Sequence, residues 1–191
     1  MRYNFKWSGE YVKLRDEIRH IENYIEVMNI RFDEPIELKL EIPNHDMDME
    51  MLKMSLQPIV ENAVKHAWTG EEAGPRSISI EVRDLPDNDV RIVVTDNGRG
   101  MDEAALTELN LGLENVSSAD KVTRGFGFGP EPKPHGIGLR NVQERIRLYY
   151  GKDYGLHVYS EEGQFTRVVM KLPKVLLTGR GGTDDQTDNR G

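Results

Sequence analysis

Apolar residues recur at spacings of three and four from Val12 to Phe32. Leu14, Ile18, Ile21, Ile25, Met28 and Phe32 form one stripe, which predicts an amphipathic helix. Asp33-Glu34-Pro35 ends it. Ile36 to Ile42 then alternates apolar with charged residues, the period of a half-buried strand. Met51 to Ala67 is helical in pattern, with Pro58 as a potential kink. Ser77 to Val82 and Val90 to Thr95 are β-rich runs joined by the turn residues Leu85 to Asp89. A short helix with an acidic first turn is expected over Asp102 to Leu109. Another is expected from Gly138 to Tyr150, stopped at Gly151. Leu156 to Ser160 and Phe165 to Leu172 form a last strand pair around Glu161-Glu162-Gly163.

The order is therefore α, β, α, β, β, α, long loop, α, β, β. Strands come in antiparallel-looking pairs, not in strict βαβ alternation. This predicts an α+β fold, a two-layer sandwich with one mixed, mainly antiparallel sheet and helices on one face. With 191 residues, one domain is expected. Residues 174–191 end in a run of Gly, Asp, Thr and Asn that reads as a disordered tail, so the folded part is expected to close near Pro173, or slightly beyond if Val175, Leu176 and Leu177 still pack.

Composition narrows the function. The net charge of −8 argues against a general nucleic-acid binder, which needs a basic footprint. The absence of cysteine excludes disulfides, iron–sulfur clusters and thiolate zinc sites. No run of 18 apolar residues is present to span a bilayer. The expected setting of this piece is the cytoplasm, without membrane contact.

Three short motifs can carry chemistry. In Leu56 to His66, helical spacing puts Gln57, Glu61, Asn62, Lys65 and His66 on one half of the surface. Such a face suits a metal–phosphate ligand, the amide taking a hard cation and the lysine a phosphate. It equally suits a solvated face with an internal Glu61–Lys65 pair. Asp96-Asn97-Gly98-Arg99-Gly100 follows a strand. It reads either as an Asn-Gly hairpin turn or as a carboxylate followed by glycines that let a flat ring approach the backbone. His135 to Asn141 opens a helix with glycines, which suits an anion or a plain turn. A near copy, Gly112 to Val116, lacks the second glycine and a helical continuation. Between the second and third motifs lies a stretch of about 110–135 with low periodicity, and Gly125 to Gly138 alone holds five glycines and three prolines. It reads as a lid, closed by Phe126 and Phe128, or as an unstructured insertion.

Together, in this order, the motifs resemble those of the GHKL ATPase superfamily, which includes sensor histidine kinases, gyrase-type topoisomerases, Hsp90 chaperones and MutL proteins. Leu56 to His66 is similar to the N box of LytS/YesM-type sensor histidine kinases, Asp96 to Gly100 to the G1 box and Gly136 to Asn141 to the G2 box. The resemblance covers about Leu14 to Leu172. It implies a Bergerat fold that binds ATP and Mg2+ in an ATP-binding domain over residues 12–173. Asp96 would accept a hydrogen bond from the adenine amino group. Gly98, Gly100 and Met101 would sit against base and ribose. Asn62 would hold magnesium. Lys65 and His66 would reach the phosphates, and Gly136, Ile137, Gly138 and Leu139 would cradle them. Glu61, with Asn62 and Lys65, would be a catalytic candidate, polarising the attacking group.

In that family the phosphoryl group passes to a histidine in an Asn-Pro-His-Phe context. None of His20, His45, His66, His135 or His157 has that context. Residues 1–11 resemble the end of the acceptor-helix region. The expectation is thus a catalytic domain whose phosphoacceptor histidine lies in another segment of a membrane-anchored, homodimeric parent, with a response regulator as the parent's further partner. Two rivals stay open: a nucleotide-gated interaction module, and an ATP-hydrolysing machine domain. The methionines at 47, 49, 51 and 54 are read as loop and core packing.

Overall fold

A computed structural model describes residues 10–68, 74–116 and 137–176. The chain order is β1 (Tyr11–Lys13), α1 (Leu14–Asn29), β2 (Ile36–Glu41), β3 (Met49–Leu52), α2 (Gln57–His66), β4 (Arg76–Leu85), β5 (Asp89–Asp96), α3 (Glu103–Glu114), α4 (Ile137–Tyr150), β6 (Gly155–Glu161), β7 (Phe165–Pro173) and β8 (Val175–Leu176). The main sheet has five strands in the order β2-β4-β5-β7-β6. β2 and β4 are parallel and every other pairing is antiparallel.

The strand alternation decides which face is covered. Ile78, Ile80 and Val82 of β4, Val90, Ile92 and Val94 of β5, and Val168, Met170 and Leu172 of β7 are buried on one face. Arg83, Arg91, His157, Tyr159 and Arg167, on the other, are exposed. Against the apolar face pack α1 on β2, α2 on β5, and α4 on β6 and β7. The α1 stripe is buried through Leu14, Ile18, Ile21 and Ile25, as its spacing requires. The predicted fold class is the observed one.

Several boundaries differ from the sequence expectation, each for a physical reason. The helix read from Met51 to Ala67 is shorter. Met51 and Leu52 belong to β3, and Pro58 lies in the first turn of α2, where its missing N–H costs nothing, so it starts the helix and does not kink it. Tyr11–Lys13 and Val175–Leu176 flank β3 in a three-stranded second sheet, too short to show a period. Fully buried Met49 and Met51 confirm the packing role of that methionine run, while Met54 is exposed. α3 runs on through Asn110 to Glu114, and Leu113 is buried, so the near-copy motif at Gly112 is helical. Phe126, Phe128 and most of the expected lid lie outside the described residues.

Helix α2 is fixed at both ends. Its N-terminal residue carries no side-chain cap of its own. Glu17, from α1, supplies one: its carboxylate accepts the backbone N–H groups of Met54 (2.6 Å), Ser55 (3.1 Å) and Leu56 (3.1 Å). Glu17 is only 3% exposed, so these bonds replace its water. Among the described residues no helix is long and apolar enough to cross a membrane.

Candidate functional site

The loop from Asp96 to Met101 is no hairpin turn, since α3 follows it instead of a paired strand. It is clamped between two elements. On one side, Arg99 donates its backbone N–H to the Ala67 carbonyl (2.7 Å) and its Nε to the His66 carbonyl (3.1 Å), both at the end of α2. On the other, Gly163 donates to the Arg99 carbonyl (2.6 Å) and Met101 donates to Ser160 Oγ (2.9 Å) in the β6–β7 hairpin. Asn97 fastens the loop to the start of β4, its side chain accepting from Ser77 (2.8 Å) and donating to the Pro75 carbonyl (2.8 Å).

The glycines serve this clamp. A Cβ on Gly98 would lie 2.2 Å from the Ala67 carbonyl oxygen, and one on Gly100, at φ +64°, would lie 2.0 Å from that of Glu161. Neighbouring backbone, not an added ring, fills the space left at both positions.

Beside the clamp opens a cavity of about 810 Å3 between α2, α3, α4 and the ends of β5 and β7. That is the size expected of a small-molecule site. Its walls are apolar where Ala63, Val94, Met101, Leu109, Leu139 and Val168 meet. In the same wall stands Asp96, only 5% exposed, whose Oδ1 accepts the Gly98 N–H (3.0 Å). Burial pushes its carboxyl up to about 6, against the opposing pull of backbone N–H donors. No cation pairs with it among the described residues. A buried carboxylate beside an apolar slot can accept from a flat ring's amino group and reject a ring that lacks one.

The N-box face divides. Asn62 and His66 line the cavity. Glu61 and Lys65 do not: Lys65 Nζ pairs with Glu61 Oε2 (3.3 Å), and Glu61 Oε1 accepts from Gln57 (3.0 Å). The face thus splits into a strip that lines the cavity and an adjoining strip that carries the internal Glu61–Lys65 pair. Asn62 makes no hydrogen bond with a described residue, and its amide faces Gly138, where a Cβ would lie 3.7 Å from Nδ2. An uncommitted amide oxygen at a cavity wall fits a hard cation such as magnesium. Leu139, Gly100 and Met101 line the cavity; Ile137, Gly138 and Gly98 do not, and Gly136 lies outside the described residues.

Sequence reasoning passed over Thr166 and Arg140, both in the cavity wall. Thr166 is the cross-strand partner of Asp96, a neighbour visible only once β5 and β7 pair. Arg140 follows Leu139 within the third motif, so its position was in view without a role attached to it.

Comparison with known proteins places this geometry. The family model for "Histidine kinase-, DNA gyrase B-, and HSP90-like ATPase" matches residues 47–176, and that for "Histidine kinase" matches residues 1–36. A sensor protein kinase, HptS of Staphylococcus aureus (strain USA300), is 30% identical over 185 residues, 96% of this chain and 31% of that relative. The same figures hold for its counterpart in strain NCTC 8325. The chain spans about a third of the length of the curated relatives it matches. Among solved structures, a mycobacterial sensor histidine kinase, MprB, superposes with a TM-score of 0.55 at 15% identity, covering 88% of this chain and 99% of that one. The catalytic domain of histidine kinase ThkA gives 0.54 at 18%, covering 86% and 95%. At these identities the two structures show a shared fold.

Proposed function

The chain belongs to the family of histidine kinase-, DNA gyrase B- and HSP90-like ATPases, and from that premise we propose that it is the ATP-binding catalytic domain of a two-component sensor histidine kinase. It holds Mg-ATP for transfer of the γ-phosphoryl group to a histidine on another segment of a homodimeric, membrane-anchored parent. From there the group passes to a response regulator. The match of residues 1–36 to the histidine kinase family model and the similarity to HptS support the kinase reading over the gyrase or Hsp90 branches.

The observation that carries the nucleotide reading is Asp96, buried in the wall of a largely apolar cavity with no cation paired to it among the described residues. In this reading Asp96 accepts from the adenine amino group, and Met101 and Leu139 cover the base. Gly98 and Gly100 hold the loop that presents Asp96. Asn62 supplies an oxygen to magnesium, which would neutralise phosphate charge. His66 and Leu139, in the cavity wall, border the phosphates, and the resemblance extends that role to Gly136, Ile137 and Gly138. Phosphoryl transfer needs mainly such positioning and charge neutralisation. Glu61 and Lys65, tied to each other on the adjoining strip, stay outside this assignment.

The test is a calorimetric titration of the chain with ATP, with and without magnesium, then addition of an acceptor-helix segment in trans. Magnesium-dependent binding followed by acid-labile phosphate on the acceptor histidine supports the kinase. Binding with steady phosphate release and no transfer supports an ATPase. Failure to bind ATP overturns the nucleotide reading.

A further inference from the structure

Cations near the cavity are not equivalent. Lys65 is paired with Glu61 and does not line the cavity. The Arg99 guanidinium lines the cavity but donates Nε to the His66 carbonyl (3.1 Å), holding the clamp. Arg140 differs from both. It stands in the first turn of α4, half-buried in the cavity wall, and among the described residues it makes no ion pair and no hydrogen bond. Of the four acids in the same wall, Asp96, Asp102, Glu108 and Glu162, none forms an ion pair with it: Asp96 accepts from Gly98, Asp102 caps α3 by accepting from Ala105 (2.7 Å), and Glu108 and Glu162 pair with no described cation.

In a chain of net charge −8, most described basic side chains on helices and strands have found a carboxylate or a carbonyl. A half-withdrawn guanidinium with no partner among the described residues gives up hydration without a return from them. Its planar fork matches two oxygens of a phosphate at once. It is also beside the right neighbour: Gly138, two residues earlier, faces the uncommitted amide of Asn62.

We propose that Arg140 is the residue of this cavity that reads the phosphate chain of the nucleotide, the role that sequence resemblance assigns to Lys65. The proposal rests on the nucleotide reading above. Asn62 and Arg140 then form a two-part charge clamp, one part through a cation and one direct. Arg140 sets the preference for phosphorylated over unphosphorylated nucleoside, while Asp96 sets the preference for the base.

The experiment titrates ATP, ADP, AMP and adenosine into the wild-type chain and into Arg140→Ala, Arg140→Lys and Lys65→Ala, with thermal melts as a folding control. Arg140→Ala is expected to lose on the order of tenfold or more in affinity for ATP, with adenosine unchanged. Arg140→Lys keeps part of that affinity, and Lys65→Ala keeps nearly all of it. Comparing ATP, ADP and AMP shows which phosphate the guanidinium meets. An Arg140→Ala chain that binds ATP like wild type overturns the proposal. So does an equal loss for adenosine and ATP, which would mark a packing role, and so does a larger loss in Lys65→Ala. If wild type binds adenosine but gains nothing from phosphates, Arg140 is misassigned and the base site stands. If wild type binds none of the four, the nucleotide reading itself falls.

Discussion

Two buried carboxylates border α2, and they are treated in opposite ways. At its start, Glu17 accepts three backbone N–H groups and closes the helix end. At the far end of the same helix, the loop clamped to Ala67 presents Asp96, which meets backbone donors but no cation among the described residues and opens on a cavity. Burial raises the Asp96 carboxyl to about 6. A carboxylate whose partners are all internal contributes stability. One that is buried and left facing an empty slot costs stability until a ligand donor arrives. The difference separates architecture from site without reference to any motif.

The largest expected effect is at Asp96. In Asp96→Asn an amide N–H2 group meets the base's amino group, and ATP affinity is expected to fall by about a hundredfold or more. Stability moves the other way. The folded carboxyl titrates higher than in the unfolded chain, so Asp96 favours the fold below the ordinary carboxylate pKa, and that contribution is lost as pH rises through about 6. Near neutral pH the variant should therefore be more stable than wild type, by up to about 3 kcal/mol. Urea titrations at pH 4.5 and 7.5 check this, since the advantage should shrink at the lower pH. Wild-type ATP affinity should weaken as pH falls below about 6, and Asp96→Asn should lose that dependence. A variant that binds poorly and is also destabilised at pH 7.5 would break the contrast with Glu17.

Glu17→Ala is the complementary case. It strands three N–H groups at the start of α2, and the expected loss is about 2–4 kcal/mol in unfolding free energy, read by urea titration. Below its melting range, adenosine affinity should stay close to wild type, because the loop that carries Asp96 is clamped at the other end of the helix. A large fall in adenosine affinity without a fall in stability would mean that the two ends are not separable.

Most of the fold was legible in the pattern of the chain. α1, α4 and the strands β2, β4, β5, β6 and β7 each carry enough period for their buried face to be read directly. β1, β3 and β8 were not legible. They are two to four residues long, and their identity comes from pairing with each other across distant parts of the sequence. The lining of the candidate cavity was legible in outline through Asn62, Asp96, Gly100 and Leu139, because local motifs carry them. Glu17 was invisible as a cap. It reads as one more polar residue on an amphipathic helix, and its three partners lie 37 to 39 residues away. The split of the α2 face was equally hidden. Helical spacing puts Glu61 and Asn62 in one half-surface, and only the packing of α4 decides which of them meets the cavity.

The finest distinction concerns two glycines, one in each setting. Gly98 is held against α2 so closely that Gly98→Ala must displace the Ala67 carbonyl. The expected cost is about 1–3 kcal/mol, with a loss of ATP affinity, because the displaced loop carries Asp96. Gly112 stands inside α3 with nothing within 4 Å of a Cβ placed there. Gly112→Ala should gain about 1 kcal/mol from helix propensity. Thermal melts of the two variants read the opposite signs. Gly112 also lines the cavity, so adenosine titration of Gly112→Ala adds a second measurement. Unchanged affinity puts the base nearer Asp96 than α3, whereas a loss alongside the gain in stability puts ligand against this helix. In the second case Gly112 repeats on a small scale what Asp96 does on a large one, holding open a space that the folded chain alone would be more stable without.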